Sequence, residues 1–167
     1  MRKLTAMDAD GFVVALLGSL PHRQVRGKKR LQKLSYLLKE SGTPCPADFV
    51  LKDFGPYSTE IARGASLLAA TGQIQERSEE VGPARRIVSV YTLSEEIDAP
   101  MLDENSIERL RCFNNFSTIE LEIAATIQYF IAQGSTSELA EEQTKRMKPT
   151  KAKPIVLSAA RKVLGCL

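Results

Sequence analysis

The stretch Phe54–Gly64, FGPYSTEIARG, sets a glycine, a proline and a serine between an apolar run and an amphipathic one. Pro56 fixes its own φ and disfavours the helical region for the residue before it, which predicts an extended Gly55. Ser58 stands where a side-chain oxygen caps the first turn of a helix. Together they predict a rigid corner between a strand and a helix. Before the corner, DFVLKDF (48–54) alternates Phe49, Leu51 and Asp53 against Val50, Lys52 and Phe54, the pattern of a short strand. After it, Ile61, Gly64, Ala65 and Leu68 share one helical face, Thr59, Arg63, Ser66 and Ala70 share the other, and Gly72 closes the helix.

Toward the N-terminus, Phe12, Leu16 and Leu20 repeat at helical spacing over residues 8–20, and Pro21 ends that helix. From Lys28 to Ser41 a second helix gathers Leu31, Leu34, Leu37 and Leu38 on one arc and Lys29, Lys33, Tyr36 and Glu40 on the opposite arc, with Gly42 at the C-terminal cap. Toward the C-terminus, QIQERSE and RRIVSVYTL flank EVGPA and read as a hairpin with a loose tip. Three helices followed by a two-stranded hairpin is the order of a winged helix, so residues 1–98 are expected to form a winged-helix-like lobe. Residues 99–167 are expected to add a helical segment packed on it, the whole being one unit, mainly α with a small β-hairpin. Within that segment Ser117 and Glu120 form an S-x-x-E capping box, Phe116 and Leu121 occupy the staple positions, and Thr118–Gln133 is apolar on two sides, as suits a central strut. Ser135 and Glu138 repeat the box spacing, and Pro154 opens a last helix ending at Gly165.

Chemistry is constrained mainly by what the sequence lacks. A single histidine, His22, rules out two-histidine metal motifs and leaves any Ser-His or Cys-His pair resting on one residue in a basic loop. Cys45, Cys112 and Cys166 are odd in number and widely spaced, which suggests neither a disulfide framework nor a zinc knuckle. The adjacent pairs Glu79/Glu80 and Glu95/Glu96 cannot both face one site in extended chain, and no glycine-rich phosphate cradle is present. No catalytic residue, metal or cofactor is therefore expected. The apolar run FVVALLGSL is far short of the roughly 20 residues that span a bilayer, and acids precede it, so neither a membrane partner nor a leader is expected and a cytoplasmic protein is the default.

Charge is the informative property. The chain has a net charge of +3, yet residues 1–55 hold ten basic against five acidic side chains and residues 145–167 hold seven basic and no acidic ones, while the middle is acidic. Arg23, Arg26, Lys28, Lys29, Arg30 and Lys33 lie within eleven residues. Cations at a helix N-terminus oppose the macrodipole, so helix stability did not place them there. The cluster is a candidate phosphate-binding surface, with Tyr36 on the Lys29/Lys33 arc, Arg85 and Arg86 on the hairpin, and the Pro-interrupted KRMKPTKAKP as a tracking loop. The same charges equally suit docking on the acidic middle, and Glu76, Glu79 and Glu80 are ready partners for the hairpin arginines. The third helix has small outward residues rather than base-reading ones, so Thr59, Arg63 and Ser66 are instead candidates for contact with a protein effector.

GKKRLQKLSYLLKESG, FVLKDFGPYSTEI and LLAATGQI together resemble the YwgA-like bacterial proteins, often phage-associated. A weaker likeness is to the SocA-type antitoxin, or Panacea, domain, which shares a K-L-Q-K-L-x-Y-L pattern followed by a Gly-Pro corner. The likeness is densest from Gly27 to Ile74. It implies a small regulator, an antitoxin-like partner, or an accessory protein of mobile elements and antiviral defence, acting by DNA binding or by protein-protein interaction, and it carries over no catalytic residues.

Overall fold

The fold follows from where the helices are capped and which faces they bury. A computed structural model describes residues 7–167; the expectation of no leader rests partly on residues 1–6 and lies outside them. The order is α1 (Ala9–Gly18), a 3-10 turn at Pro21–Arg23, β1 (Gln24–Arg26), α2 (Lys28–Glu40), β2 (Val50–Lys52), β3 (Gly55–Tyr57), α3 (Thr59–Ala70), β4 (Ile74–Val81) and β5 (Arg86–Leu93). Four helices follow: α4 (Glu104–Asn114), α5 (Thr118–Ala132), α6 (Ser137–Met147) and α7 (Pro154–Leu164). The chain is mainly α with a small β region. No helix among the described residues is long and apolar enough to cross a membrane.

The strands form two antiparallel sheets, one ordered β1-β5-β4 and the other β2-β3. The hairpin read from QIQERSE and RRIVSVYTL is β4-β5, with Ser78 opposite Ser89. Strand β1, which periodicity does not reveal, closes on its far side with Val25 opposite Tyr91. The strand read at 48–54 forms its own hairpin: Leu51 faces Pro56, so Gly-Pro-Tyr is a paired strand rather than a bare corner. Gly55 opens that strand opposite Lys52, but at a φ of +90° rather than the ordinary negative value of a strand, which an L side chain adopts only under strain. A Cβ there would come within 2.9 Å of Thr126 Oγ1 on α5. The cap after the corner is as expected, with the Ser58 hydroxyl accepting from the Ile61 amide at 3.3 Å.

Helix α1 is buried continuously from Phe12 to Leu17 and packs on α3 and the larger sheet. Gly64 permits the close approach of α3, since a Cβ would lie 2.8 Å from Asp10 Oδ1. Helix α5 is buried from Leu121 to Ile127 and touches α2, α6 and α7, the position of the strut, and both halves of its Ser117–Glu120 capping box form. The second box does not form: Thr136 caps α6, and the Ser135 hydroxyl donates instead to Gln143. Helix α4 is an element the periodicity reading passes over, although Asp103 caps it through the Ser106 amide at 2.9 Å. The cysteine expectation is also corrected, because Cys112 on α4 and Cys166 beyond α7 form a disulfide.

Candidate functional site

Helix α2 supplies most of the basic cluster, and its surroundings decide what each cation does. It touches α3, α4, α5 and strands of both sheets, so its two arcs are both covered. Lys33, expected on a solvent-facing arc, is 1% exposed, and Tyr36 is buried as well. The Lys33 ammonium donates to the Pro56 carbonyl oxygen at 2.7 Å. Neighbouring Gln32 holds both backbone groups of Ser58, donating to its carbonyl at 2.9 Å and accepting from its amide at 2.8 Å. Lys148 donates to the Asp53 carbonyl at 2.5 Å. Three buried side chains, Gln32 and Lys33 from α2 and Lys148 from the end of α6, thus fix the Asp53–Ser58 backbone. Tyr36 packs on Phe49 with ring centroids 5.2 Å apart and lies beside Tyr129. Burial, reinforced by Glu40, pushes its hydroxyl far above the usual tyrosine value, so neither Lys33 nor Tyr36 is presented to an external phosphate.

Two more of the six clustered cations are committed internally. Arg30 reaches the turn between α4 and α5, donating to the carbonyls of Phe116 at 2.8 Å and Asn114 at 3.0 Å and to Asn114 Oδ1 at 3.0 Å. Arg23 donates to the Ile97 carbonyl at 2.5 Å. Arg26 and Lys28 are exposed but pair with Glu79 at 3.5 Å and Glu76 at 3.6 Å on β4. Internal pairing therefore accounts for much of what a linear count offers to a ligand.

What remains is a groove that sequence reasoning did not assemble. Lys29 sits over the half-exposed Phe54 ring, 3.4 Å from its centroid, and Lys151 approaches the same ring at 5.0 Å. Between the β4-β5 tip and the N-termini of α2 and α5 lies a cleft of about 560 Å³ whose wall includes Arg26, Lys28, Lys29, Arg86 and Lys151. Glu122 is the one carboxylate in that wall among the described residues. It is 2% exposed and engaged by Lys148 at 2.8 Å, itself 5% exposed, and by Lys151 at 3.0 Å. Lys29 is shifted below the ordinary lysine value by desolvation first and then by the like charge of Lys151. Lys33 is lowered to about 8 by burial, opposed by Glu122 and assisted by Lys148, Lys29 and Lys151. Glu122 is ion-paired with Lys148 and Lys151, and Lys29 and Lys33 feel its charge without an ion pair of their own among the described residues, so an arriving anion would relieve the excess of positive charge.

The remaining expected residues separate into two places. Arg85 and Arg86 are exposed at the hairpin tip, with Arg86 in the cleft wall and Arg85 at φ +48°. Thr59, Arg63 and Ser66 are exposed together along α3, joined there by Leu67. Lys151 and Lys148 come from the basic loop after α6, whose composition flagged it, whereas Glu122 gave no sequence signal, lying inside the apolar run of α5. No group of three or more metal-binding side chains gathers among the described residues. Compared with known proteins, the chain matches no family model, no curated protein and no solved structure.

Proposed function

We propose that this chain is a non-enzymatic, winged-helix-like regulatory or accessory protein that holds the phosphate backbone of a nucleic acid in the Lys29–Arg86–Lys151 groove. The winged-helix reading is supported by three helices followed by the β4-β5 hairpin, with β1 closing against β5; the β2-β3 hairpin is an insertion between the second and third helices. The resemblance to YwgA-like and SocA-type proteins adds the context of a bacterial mobile element or defence system. The observation that carries the binding reading is the convergence of Lys29 and Lys151 from distant segments with Arg86 on one cleft containing a single, already paired carboxylate. Contacts of this kind neutralise phosphates without reading bases, so affinity should be independent of sequence and fall with salt by about 0.9 log units per contact per log unit on duplex DNA.

Fluorescence anisotropy of labelled duplex and single-stranded DNA tests this in wild type and in the Lys29→Glu/Arg86→Glu double variant. Both side chains are at the surface, so the fold should survive, whereas Lys33→Glu would put a carboxylate in the interior. The double variant should lose binding and wild type should show the steep salt slope. A wild type that binds nothing at low salt refutes the reading. A protein-effector role, antitoxin-like or adaptor-like, is the second reading, favoured by the α3 face on which Leu67 is 50% exposed beside Thr59, Arg63 and Ser66, with Val50 53% exposed on neighbouring β2. Under that reading Arg63→Glu is the damaging change.

A further inference from the structure

On the other side of Lys29 from the phosphate groove lies a second hollow, of about 390 Å³, between α2, α3, β5 and the β2-β3 hairpin. This is within the roughly 300–1,000 Å³ range of small-molecule sites. Leu31, Ala62, Ala65, Tyr57 and Tyr91 give it largely apolar walls, and Lys33 and Gly55 form part of its lining. Lys52, whose ammonium lies 4.4 Å from the Tyr57 ring centroid, contributes another part.

Lys33 is unusual in this setting. An ammonium has three donors, and the single hydrogen bond it makes among the described residues is to Pro56. Among the described residues no carboxylate lies within ion-pair distance of it; Glu122, whose charge reaches it, is paired with Lys148 and Lys151. A buried cation with two unused donors beside an apolar hollow has no ion pair of its own among the described residues. A carboxylate supplies one negative charge and two acceptor oxygens for those donors, and an apolar body behind it fills the walls. A phosphate dianion would instead bring a second charge into largely apolar walls, because the other lining cations, Lys28, Lys29 and Lys52, stand at the exposed rim rather than beside Lys33 in the interior.

We infer that this hollow is a binding site for a small apolar monocarboxylate, with the acid group on Lys33 and the hydrocarbon or aromatic part between α2 and α3. The inference does not rest on the nucleic-acid reading, although Lys28 and Lys29 line both hollows and would carry an effect from one to the other.

Benzoate is the probe, benzamide its uncharged counterpart, and amide and lysine side-chain NMR the readout. Benzoate should give saturable shifts at Gly55, Tyr57 and Ala65, leave α7 unmoved, and raise the titration midpoint of the Lys33 ammonium. Benzamide on wild type, and benzoate on Lys33→Met, should each bind at least about tenfold more weakly, a loss of about 1.4 kcal/mol. Inorganic phosphate should leave the Lys33 signals unmoved. Absence of saturable benzoate shifts, equal binding of benzamide, or full affinity in Lys33→Met overturns the inference. Should Lys33→Met not fold, an unchanged Lys33 midpoint in wild type under benzoate overturns it equally.

Discussion

Replacing Lys33 by methionine should change stability in a way that depends on pH with a calculable sign. The side chain is 1% exposed, and burial lowers its ammonium from the ordinary 10.5 to about 8. Between those values the unfolded chain binds the proton and the folded chain does not, so the stability of the wild type rises with pH across that window and is flat below it. At about 1.4 kcal/mol per pH unit the full rise is about 3 kcal/mol. Methionine keeps the length and apolar stem of lysine and abolishes this term. It also orphans the Pro56 carbonyl, which now accepts at 2.7 Å, at a cost of about 1–2 kcal/mol. Near neutral pH the variant should therefore be about 1–2 kcal/mol more stable than wild type, and above about pH 10 about 1–2 kcal/mol less stable. Urea unfolding followed by circular dichroism, run on both proteins at several pH values, measures the difference and cancels titrations common to both. A difference that does not change with pH, or a variant already much weaker than wild type at neutral pH, refutes the account of Lys33 as an uncompensated buried cation.

Arg30→Ala removes charged hydrogen bonds to Phe116, to the Asn114 carbonyl and to Asn114 Oδ1; urea unfolding should show a loss of about 2–3 kcal/mol, far more than an exposed arginine would give. Cys112 and Cys166 close a loop with a sequence separation of 54, for which the chain-entropy relation gives about 4 kcal/mol. Cys166→Ser should lower stability by an amount of that order under oxidising conditions and match reduced wild type in a thermal melt, whereas a variant indistinguishable from oxidised wild type would exclude the bond.

What the sequence legibly encoded was local. Ser58 before Ile61, Ser117 three residues before Glu120 and the hydrophobic periods of α1, α2, α3 and α5 each concern groups a turn apart, and the structure forms each of them. The same locality explains the slips: Ser135 and Thr136 are both able to cap, and choosing between them depends on Gln143 receiving one of them. Strand β1 is only three residues long, too short for alternation to register, and exists because β5 offers it a free edge.

The fate of the basic residues was a tertiary decision. Periodicity correctly put Lys29 and Lys33 opposite the leucine arc of α2, but it carries no information about whether that second arc meets water. The β2-β3 hairpin and α5 cover it at Lys33 and Tyr36 and leave Lys29 outside, so residues one turn apart on one face end in different environments. Glu122, Lys148 and Lys151 meet across 26 and 29 residues of sequence, a proximity created only when α5 packs against the loop after α6. Local sequence sets which backbone groups are capped and which faces are apolar; desolvation and charge pairing depend on the neighbours that folding brings, and those neighbours fix which cations remain available to a ligand.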